Sequence, residues 1–221
     1  TGSMTHSVWP LFDLRVRTPR LELRYVDDEM AAELAQLATQ GIHDPDFMPF
    51  NEPWSQVPSP TLERNTMQFY WRCRAEFVPA SWNLNLATIV EGAVVGTTAL
   101  FANEFPTLRQ FETGSWLGRQ FQGKGIGKEM RLASLQLGFV GFGAEFATTG
   151  AFDDNGPSLG VTGSLGYSAT GRRRLVRQQL PAMMQHFELT RADFLARLRR
   201  DDLSLHGVDE CLPTLGLAPA D

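Results

Sequence analysis

The run GRQFQGKGIGKEM at residues 118–130 places four glycines and both lysines of the chain, Lys124 and Lys128, within thirteen positions. Glycines let a ligand approach the backbone closely, and lysines beside free N–H groups add positive charge, a combination suited to phosphate. A nucleoside-triphosphate loop, G-x-x-x-x-G-K-[ST], is met by Gly118, Gly123 and Lys124. It fails at Gly125, where a hydroxyl should hold Mg²⁺. A dinucleotide loop needs G-x-G-x-x-G after the first strand of a β-α-β unit, whereas the glycines here stand at 123, 125 and 127. A glycine-rich turn that only ends a strand is a further reading. A second run, Gly156-Pro157-Ser158-Leu159-Gly160, has the G-x-S-x-G form of a hydrolase nucleophile elbow, with His186 and His206 downstream. That elbow requires a strand running straight into the serine. Asp153-Asp154-Asn155 intervene, and they read as a helix cap.

The elements that must position these runs follow from periodicity. RLELRYV at 20–26 alternates apolar and polar residues as a half-buried strand does. Asp27-Asp28-Glu29 then cap a helix and supply its acidic first turn. Residues 41–60 hold five prolines and several aromatics, too broken for regular structure and too apolar for an idle loop. Helical spacing returns over 61–78, and strands are expected at 83–90 and 94–102, turning at Glu91-Gly92. Another strand at 109–117 leads into the glycine run, and a helix begins at Ile126 with apolar stripes on two sides. A strand at 144–152, a short helix capped by Asn155, strands at 167–176 and 183–190, and a helix at 191–200 complete the pattern. The order β-α-α-β-β-β-α-β-α-β-β implies a mixed sheet in one α/β (α+β-like) domain over residues 4–200. Residues 201–221 read as an irregular tail that packs on the domain or on a partner subunit. Thr1 to Ser3, ahead of Met4, read as residues left by cloning.

Composition narrows the function. A net charge of −5 argues against a nucleic-acid partner, since phosphate-backbone affinity needs a basic surface. Of the 20 basic residues only two are lysines, so a lysine that contacts a ligand is one of that pair. Cys73 and Cys211 form no C-x-x-C, which fits a reducing, cytoplasmic setting. There is no signal peptide and no long apolar run, so neither secretion nor membrane insertion is expected. The four histidines, His6, His43, His186 and His206, lie far apart in sequence, and no metal site is expected.

Gln122-Gly123-Lys124-Gly125-Ile126-Gly127 fills every fixed position of Q/R-x-x-G-x-G/A, the pyrophosphate loop of the GNAT acyltransferase superfamily. Its neighbours agree in order. PRLELR (19–24), FETGSWLGRQFQGKGIGKEM (111–130), NGPSLGVTGSLGY (155–167) and HFELTRADF (186–194) resemble successive segments of the RimJ/RimL-type branch. A narrower likeness in GIHDPDFMPFNEPW (41–54), with PLFDLRVRTPRL (10–21) and GSWLGRQFQGKG (114–125), resembles actinobacterial members associated with succinyl-CoA. The resemblance implies a single GNAT domain with a mixed, mostly antiparallel central sheet flanked by helices. It implies an N-acyltransferase that uses acetyl-CoA or succinyl-CoA, without a metal, to modify a small-molecule or peptide amine. Dimers are common in this branch, so a homodimer is possible.

The resemblance also implies roles. A free backbone N–H near Trp116 or Leu117 would bind the thioester oxygen, and Gln122, Gly123, Lys124, Gly125, Ile126, Gly127 and Lys128 would surround the pyrophosphate. Glu112 is the candidate general base, acting through a water, although a surface carboxylate in a cross-strand pair is an alternative. Ser158 would protonate the leaving thiolate or hydrogen-bond the pantetheine. Thr162 stands where other members carry a tyrosine acid. Asn155 would contact the pantetheine as well as cap its helix. His43, Asp44, Asp46, Phe50 and Trp54 would line the acceptor pocket, or only pack a proline-rich loop. The basic run GRRRLVR at 171–177 is a patch for the coenzyme 3′-phosphate, a patch for an acidic acceptor, or a solvated strand end. A catalytically silent acyl-CoA-binding module of the same fold is the alternative function. A basic residue beyond the sulfur would favour a succinyl donor over acetyl.

Overall fold

A computed structural model describes residues 6–218, so the expected cloning residues lie outside the described part. Strands β1 (Arg15–Arg17) and β2 (Glu22–Tyr25) open the chain, followed by helices α1 (Asp28–Thr39) and α2 (Thr61–Ala75). The Asp27 side chain caps α1 by accepting from the Met30 N–H at 2.8 Å. Between the helices the proline-rich segment stays irregular apart from one short 3-10 turn at Trp54–Gln56. β3 (Ser81–Val90) and β4 (Ala93–Asn103) form the expected hairpin. Glu91 and Gly92 take φ values of 50° and 81°, the left-handed pair that a two-residue turn needs to follow strand twist.

A short helix, α3 (Phe105–Leu108), leads into β5 (Gln110–Leu117), and α4 (Ile126–Gln136) follows the glycine run. Then come β6 (Phe146–Phe152), α5 (Gly156–Ser164), β7 (Ser168–Arg177), β8 (Leu180–Thr190), α6 (Arg191–Arg197) and β9 (Ser204–His206). All nine strands join one sheet in the order β7-β8-β6-β5-β4-β3-β2-β1-β9. The single α/β domain with a mixed, mostly antiparallel sheet is therefore as the sequence implied. No helix among the described residues is long and apolar enough to cross a membrane.

Two features matter, the first a departure from the sequence reading. The stretch from 201, expected to be irregular, carries β9 paired with β1 and a 3-10 turn at Asp209–Leu215. Cys211, Leu212, Leu215 and Leu217 from this stretch are buried in the main core, so the tail completes its own domain. Burying each such leucine is worth roughly 1.5–3 kcal/mol, which outweighs the weak local signal of so short a strand.

The second feature positions the site. β5 and β6 are parallel and paired over only three positions, Gln110 with Phe146, Phe111 with Ala147 and Glu112 with Thr148. Beyond Glu112, β5 stays paired with β4 as far as Leu117, while β6 stays paired with β8 as far as Phe152. The sheet therefore opens into a V between the two strands. α4 covers one face at the closed end, where a Cβ on Gly138 of its continuation would lie 2.3 Å from the Phe111 ring. Only glycine permits that approach.

Candidate active site

β5 sorts its side chains by alternation. Phe111, Thr113 and Leu117 face α4, whereas Glu112, Gly114 and Trp116 face the side covered by α2 and the 43–57 loop. Its backbone sorts likewise. Gly118 N–H donates to Val95 O at 2.9 Å, and a Cβ on Gly96 would strike Trp116 O at 2.3 Å, so residues 116 and 118 turn their polar groups to β4. The Leu117 N–H then points to the open side of the V. Of the two positions considered from sequence, the geometry offers the N–H of Leu117.

The glycine run links this edge to a helix start. Gln122 is extended, and its Nε2 donates to Leu117 O at 3.0 Å and also to Ile42 O. That side chain braces the run against the end of β5 and the start of the proline-rich loop. Gly123 (φ 73°) and Gly125 (φ 77°) are left-handed, a conformation that costs other residues about 1–2 kcal/mol. Gly125 is the N-cap of α4 and no side chain caps that end, so the N–H groups of the first turn face outward. Gly127 faces Leu117, whose side chain would lie 3.6 Å from a Cβ there, an ordinary contact. Arg20 holds Lys124 O at 3.1 Å and Glu129 at 3.2 Å. Among the described residues neither Lys124 nor Lys128 forms an ion pair. Outward N–H groups, the positive end of a helix dipole and two lysines make an anion-binding concavity.

Glu112 is half-buried at the last position where β5 pairs with β6. Burial pushes its carboxyl above the usual carboxylate range, and His186, on the same face of β8, opposes this only in part. Beside it, α2 and the sheet enclose a cavity of about 300 Å³ lined by Phe50, Trp54, Phe69, Tyr70, Asn83 and Trp116, among others. An aromatic chain runs into it from the loop. His43 meets Phe50 at 5.8 Å, Phe50 meets Trp54 at 5.2 Å, and Trp54 meets Trp116 at 5.8 Å. Phe50 and Trp54 thus line the cavity. His43 instead ties the loop together through Ser55 Oγ (2.7 Å) and Asp44 O (2.8 Å), while Asp44 lies outside it, 3.8 Å from Arg119.

Asn155 caps α5, its Oδ1 accepting the Ser158 N–H at 3.3 Å. Ser158 therefore stands in the first turn of a helix, which rules out a strand-borne nucleophile elbow. Thr162 is buried and accepts from Arg131 Nη1 at 3.0 Å. In the 171–177 run, Arg177 turns inward onto Phe152, 4.2 Å from its ring, and pairs with Asp154. Arg172 reaches Asp153 at 3.4 Å. Sequence reasoning missed Arg131, Tyr167 and His186 as neighbours of the opening. A cue for Arg131 existed, because it stands four positions before Leu135 within an apolar helical stripe.

Comparison with known proteins agrees with this geometry. Residues 20–168 match the family described as Acetyltransferase (GNAT) domain. RimJ from Mycobacterium smegmatis, solved with CoA-disulfide, superposes with a TM-score of 0.68 at 18% identity, covering 85% of this chain and 95% of that one. A GCN5-related N-acetyltransferase from Brucella melitensis gives 0.67 at 18% identity, covering 82% and 80%. RimL, a ribosomal L7/L12 alpha-N-protein acetyltransferase solved with coenzyme A, gives 0.62 at 16% identity, covering 78% and 95%.

Proposed function

Because the chain belongs to the GNAT acetyltransferase family, we propose that it transfers an acetyl group from acetyl-CoA to a primary amine by direct attack in a ternary complex. The observation that carries the reading is the link between the two halves of the site. The anion-binding start of α4 joins directly to the unpaired edge of β5, so pyrophosphate at one end leaves the thioester within the V at the other.

Gly123 to Lys128 hold the pyrophosphate by N–H groups and charge. The Leu117 N–H donates to the thioester oxygen and stabilises the oxyanion as it forms. Glu112 draws a proton from the acceptor ammonium through a water, a task suited to a carboxyl raised by burial. Asn155 and Ser158 contact the pantetheine, and Gln122 acts by bracing the loop. Phe50 and Trp54 wall the cavity where acyl group and amine meet, with His43 and Asp44 shaping the loop behind them.

The cavity bears on the donor. Its lining holds aromatics, asparagines and threonines but neither Lys nor Arg. A succinyl carboxylate there would lose its water with no cation to replace it, a penalty of several kcal/mol. Acetyl meets no such penalty. For the acceptor, RimL acts on a protein α-amine, and a peptide N-terminus is the corresponding choice here.

The test is thiol release from acetyl-CoA and succinyl-CoA against peptides with free α-amines, polyamines and antibiotic amines, with product masses recorded. Release with acetyl-CoA and a peptide is the expected result. Coenzyme binding without release on every amine would replace the transferase with a silent acyl-CoA-binding module.

A further inference from the structure

Among the described residues, none of Lys, Arg, Asp or Glu lines the cavity of about 300 Å³ between α2 and the sheet. Two of its hydroxyls are already spent on backbone, since Thr66 Oγ1 donates to Leu62 O at 2.8 Å and Thr97 Oγ1 to Leu86 O at 2.9 Å. The lining is therefore chiefly rings. One of them, Phe69, is 41% exposed, so the rim offers apolar surface to an occupant. The floor is hollow for a reason local to β5. Gly114 lies between Glu112 and Trp116 on this face, opposite Ala99 of β4, which is opposite Asn85 of β3. A glycine inside a strand marks a bulge, a bend, or the close approach of another backbone or a ligand. β4 and β5 pair without a register shift from Phe101–Glu112 to Gly96–Leu117, so 114 is no bulge. A Cβ there would meet only the Phe101 ring, at 3.5 Å, an ordinary contact, and no positive φ calls for glycine. Close approach of a ligand is the explanation left.

Resting on the transferase reading above, we infer that this cavity selects the acceptor by the group beside its amine, a large uncharged apolar one, with Gly114 setting the limit on its size. Position and volume agree. Gly114 is two residues along β5 from Glu112, about 6.8 Å, so an amine held at Glu112 places its neighbouring group over the glycine. An apolar cavity of about 150 Å³ takes a benzene ring. One of about 300 Å³ takes a ring and leaves room for the amine and an acetyl group. A carboxylate or a second ammonium in the same place would lose its water with no opposite charge in the lining. Aromatic faces return only part of an ammonium's hydration. The acceptor class is thus an amine borne next to an aromatic or large aliphatic group. A peptide that begins with Phe, Leu or Met supplies it, and so does a small arylalkylamine. Polyamines and peptides that begin with Asp, Glu or Lys do not.

Peptides identical but for the first residue measure the selection. At saturating acetyl-CoA, kcat/KM for Phe- and Leu-first peptides should exceed that for Gly- and Asp-first peptides by about 10²-fold or more. Phenethylamine against ethylamine carries the same contrast without a peptide, and the faster of the two ring-bearing amines names the source. Gly114→Val should lower kcat/KM for the Phe-first peptide by roughly 10²-fold and for the Gly-first peptide by several-fold at most, with CoA affinity held. Gly114→Ala should fall between. Equal rates for Phe- and Gly-first peptides in the parent, or a preference for Asp or Lys, would overturn the inference. So would a Gly114→Val loss equal for every acceptor, or one confined to a longer donor such as hexanoyl-CoA, which would give the space to the acyl chain. Calorimetry with CoA already bound reads the contrast without turnover, since the Phe-first peptide should bind the parent more tightly than the Gly-first peptide, and Gly114→Val should erase the difference. If no amine releases thiol, the transferase reading fails, while that titration still decides whether the cavity selects a large apolar group.

Discussion

From β5, Glu112, Gly114 and Trp116 look toward α2 and the 43–57 loop, while Thr113 and Leu117 look toward α4 and α5. The first side is walled by rings, with Phe50, Trp54, Phe69, Tyr70 and Trp116 around one cavity. The second side carries donors, namely the N–H groups opening α4, Lys124 and Lys128 beside them, and the buried Arg131. A strand with period two separates the requirements by one residue. In the proposed reaction the amine sheds water and a proton on one face, while the highly charged coenzyme is held on the other. On that proposal the two substrates meet at an edge of the sheet, where β6 has turned away from β5.

Glu112 is where the separation should break most severely. Glu112→Gln keeps shape and removes the base, and kcat should fall by roughly 10²–10³-fold, with coenzyme affinity unchanged. In the parent, activity should decline as pH falls through a value above the ordinary carboxylate range, because burial raises that group. Stability should move the other way. A raised carboxyl contributes stability below its unfolded pKa and loses it as pH rises through the folded value. The glutamine variant should therefore melt higher than the parent at neutral pH, and the gain should vanish in acid. A pH series of melting curves beside initial rates checks both; unchanged turnover across pH would remove Glu112 from the chemistry.

Gly125→Ala tests the coenzyme side alone. A Cβ there would meet only Arg20 Nη1 at 3.6 Å, ordinary contact, so the cost is the left-handed backbone at φ 77°. Strain of about 1–2 kcal/mol at the mouth of α4 should weaken coenzyme affinity by roughly tenfold. The acceptor KM at saturating coenzyme should stay as it was. Calorimetric titration with CoA reads the first effect, and a matching rise in acceptor KM would show that the faces are not separate.

The two faces were unequally legible in the sequence. The shape of the glycine loop at the start of α4 was readable because backbone conformation writes itself into glycine spacing, and Gly123, Gly125 and Gly127 are local to one another. The Glu91-Gly92 hairpin and the Asp27 and Asn155 caps were readable for the same reason. Arg131 and Tyr167 were not, because they stand 36 residues apart and meet only once α4 and α5 pack beside β5. The 43–57 loop lacked any period, so nothing local separated the cavity-facing Phe50 and Trp54 from His43, which spends both ring nitrogens within the loop. β9 was hidden by its shortness, since three residues carry too little alternation to register.

Trp54→Leu sharpens the acceptor side. Leucine keeps the wall apolar but removes ring contacts to Phe50 and Trp116, each worth about 0.5–1.5 kcal/mol. Since part of that loss falls on stability, acceptor kcat/KM should drop by several-fold while CoA affinity holds. A larger loss of CoA affinity than of acceptor kcat/KM would place Trp54 on the wrong face.

The smallest effect is expected at Asp154, which fastens the acceptor loop to β7 from outside. Arg177 donates to Asp154 Oδ1 at 3.0 Å and to Met48 O at 3.0 Å, so one guanidinium joins β7, the start of α5 and the loop. The Asp154 side chain is 46% exposed, so solvent screening limits its pair with Arg177 to about 1 kcal/mol or less. Asp154→Asn should lower the melting temperature slightly at neutral pH and raise the acceptor KM marginally, leaving CoA affinity alone. The Arg177 hydrogen bond holds the Asp154 carboxyl below its ordinary value. Its contribution is therefore present above the unfolded pKa and is lost as pH falls through the folded one. Melting curves of parent and variant should differ near neutrality and converge in acid, once pH has fallen through a folded value below the ordinary carboxylate range. A gap that persists into acid would mean that Asp154 acts by shape, and that the loop is held by Arg177 and Met48 without it.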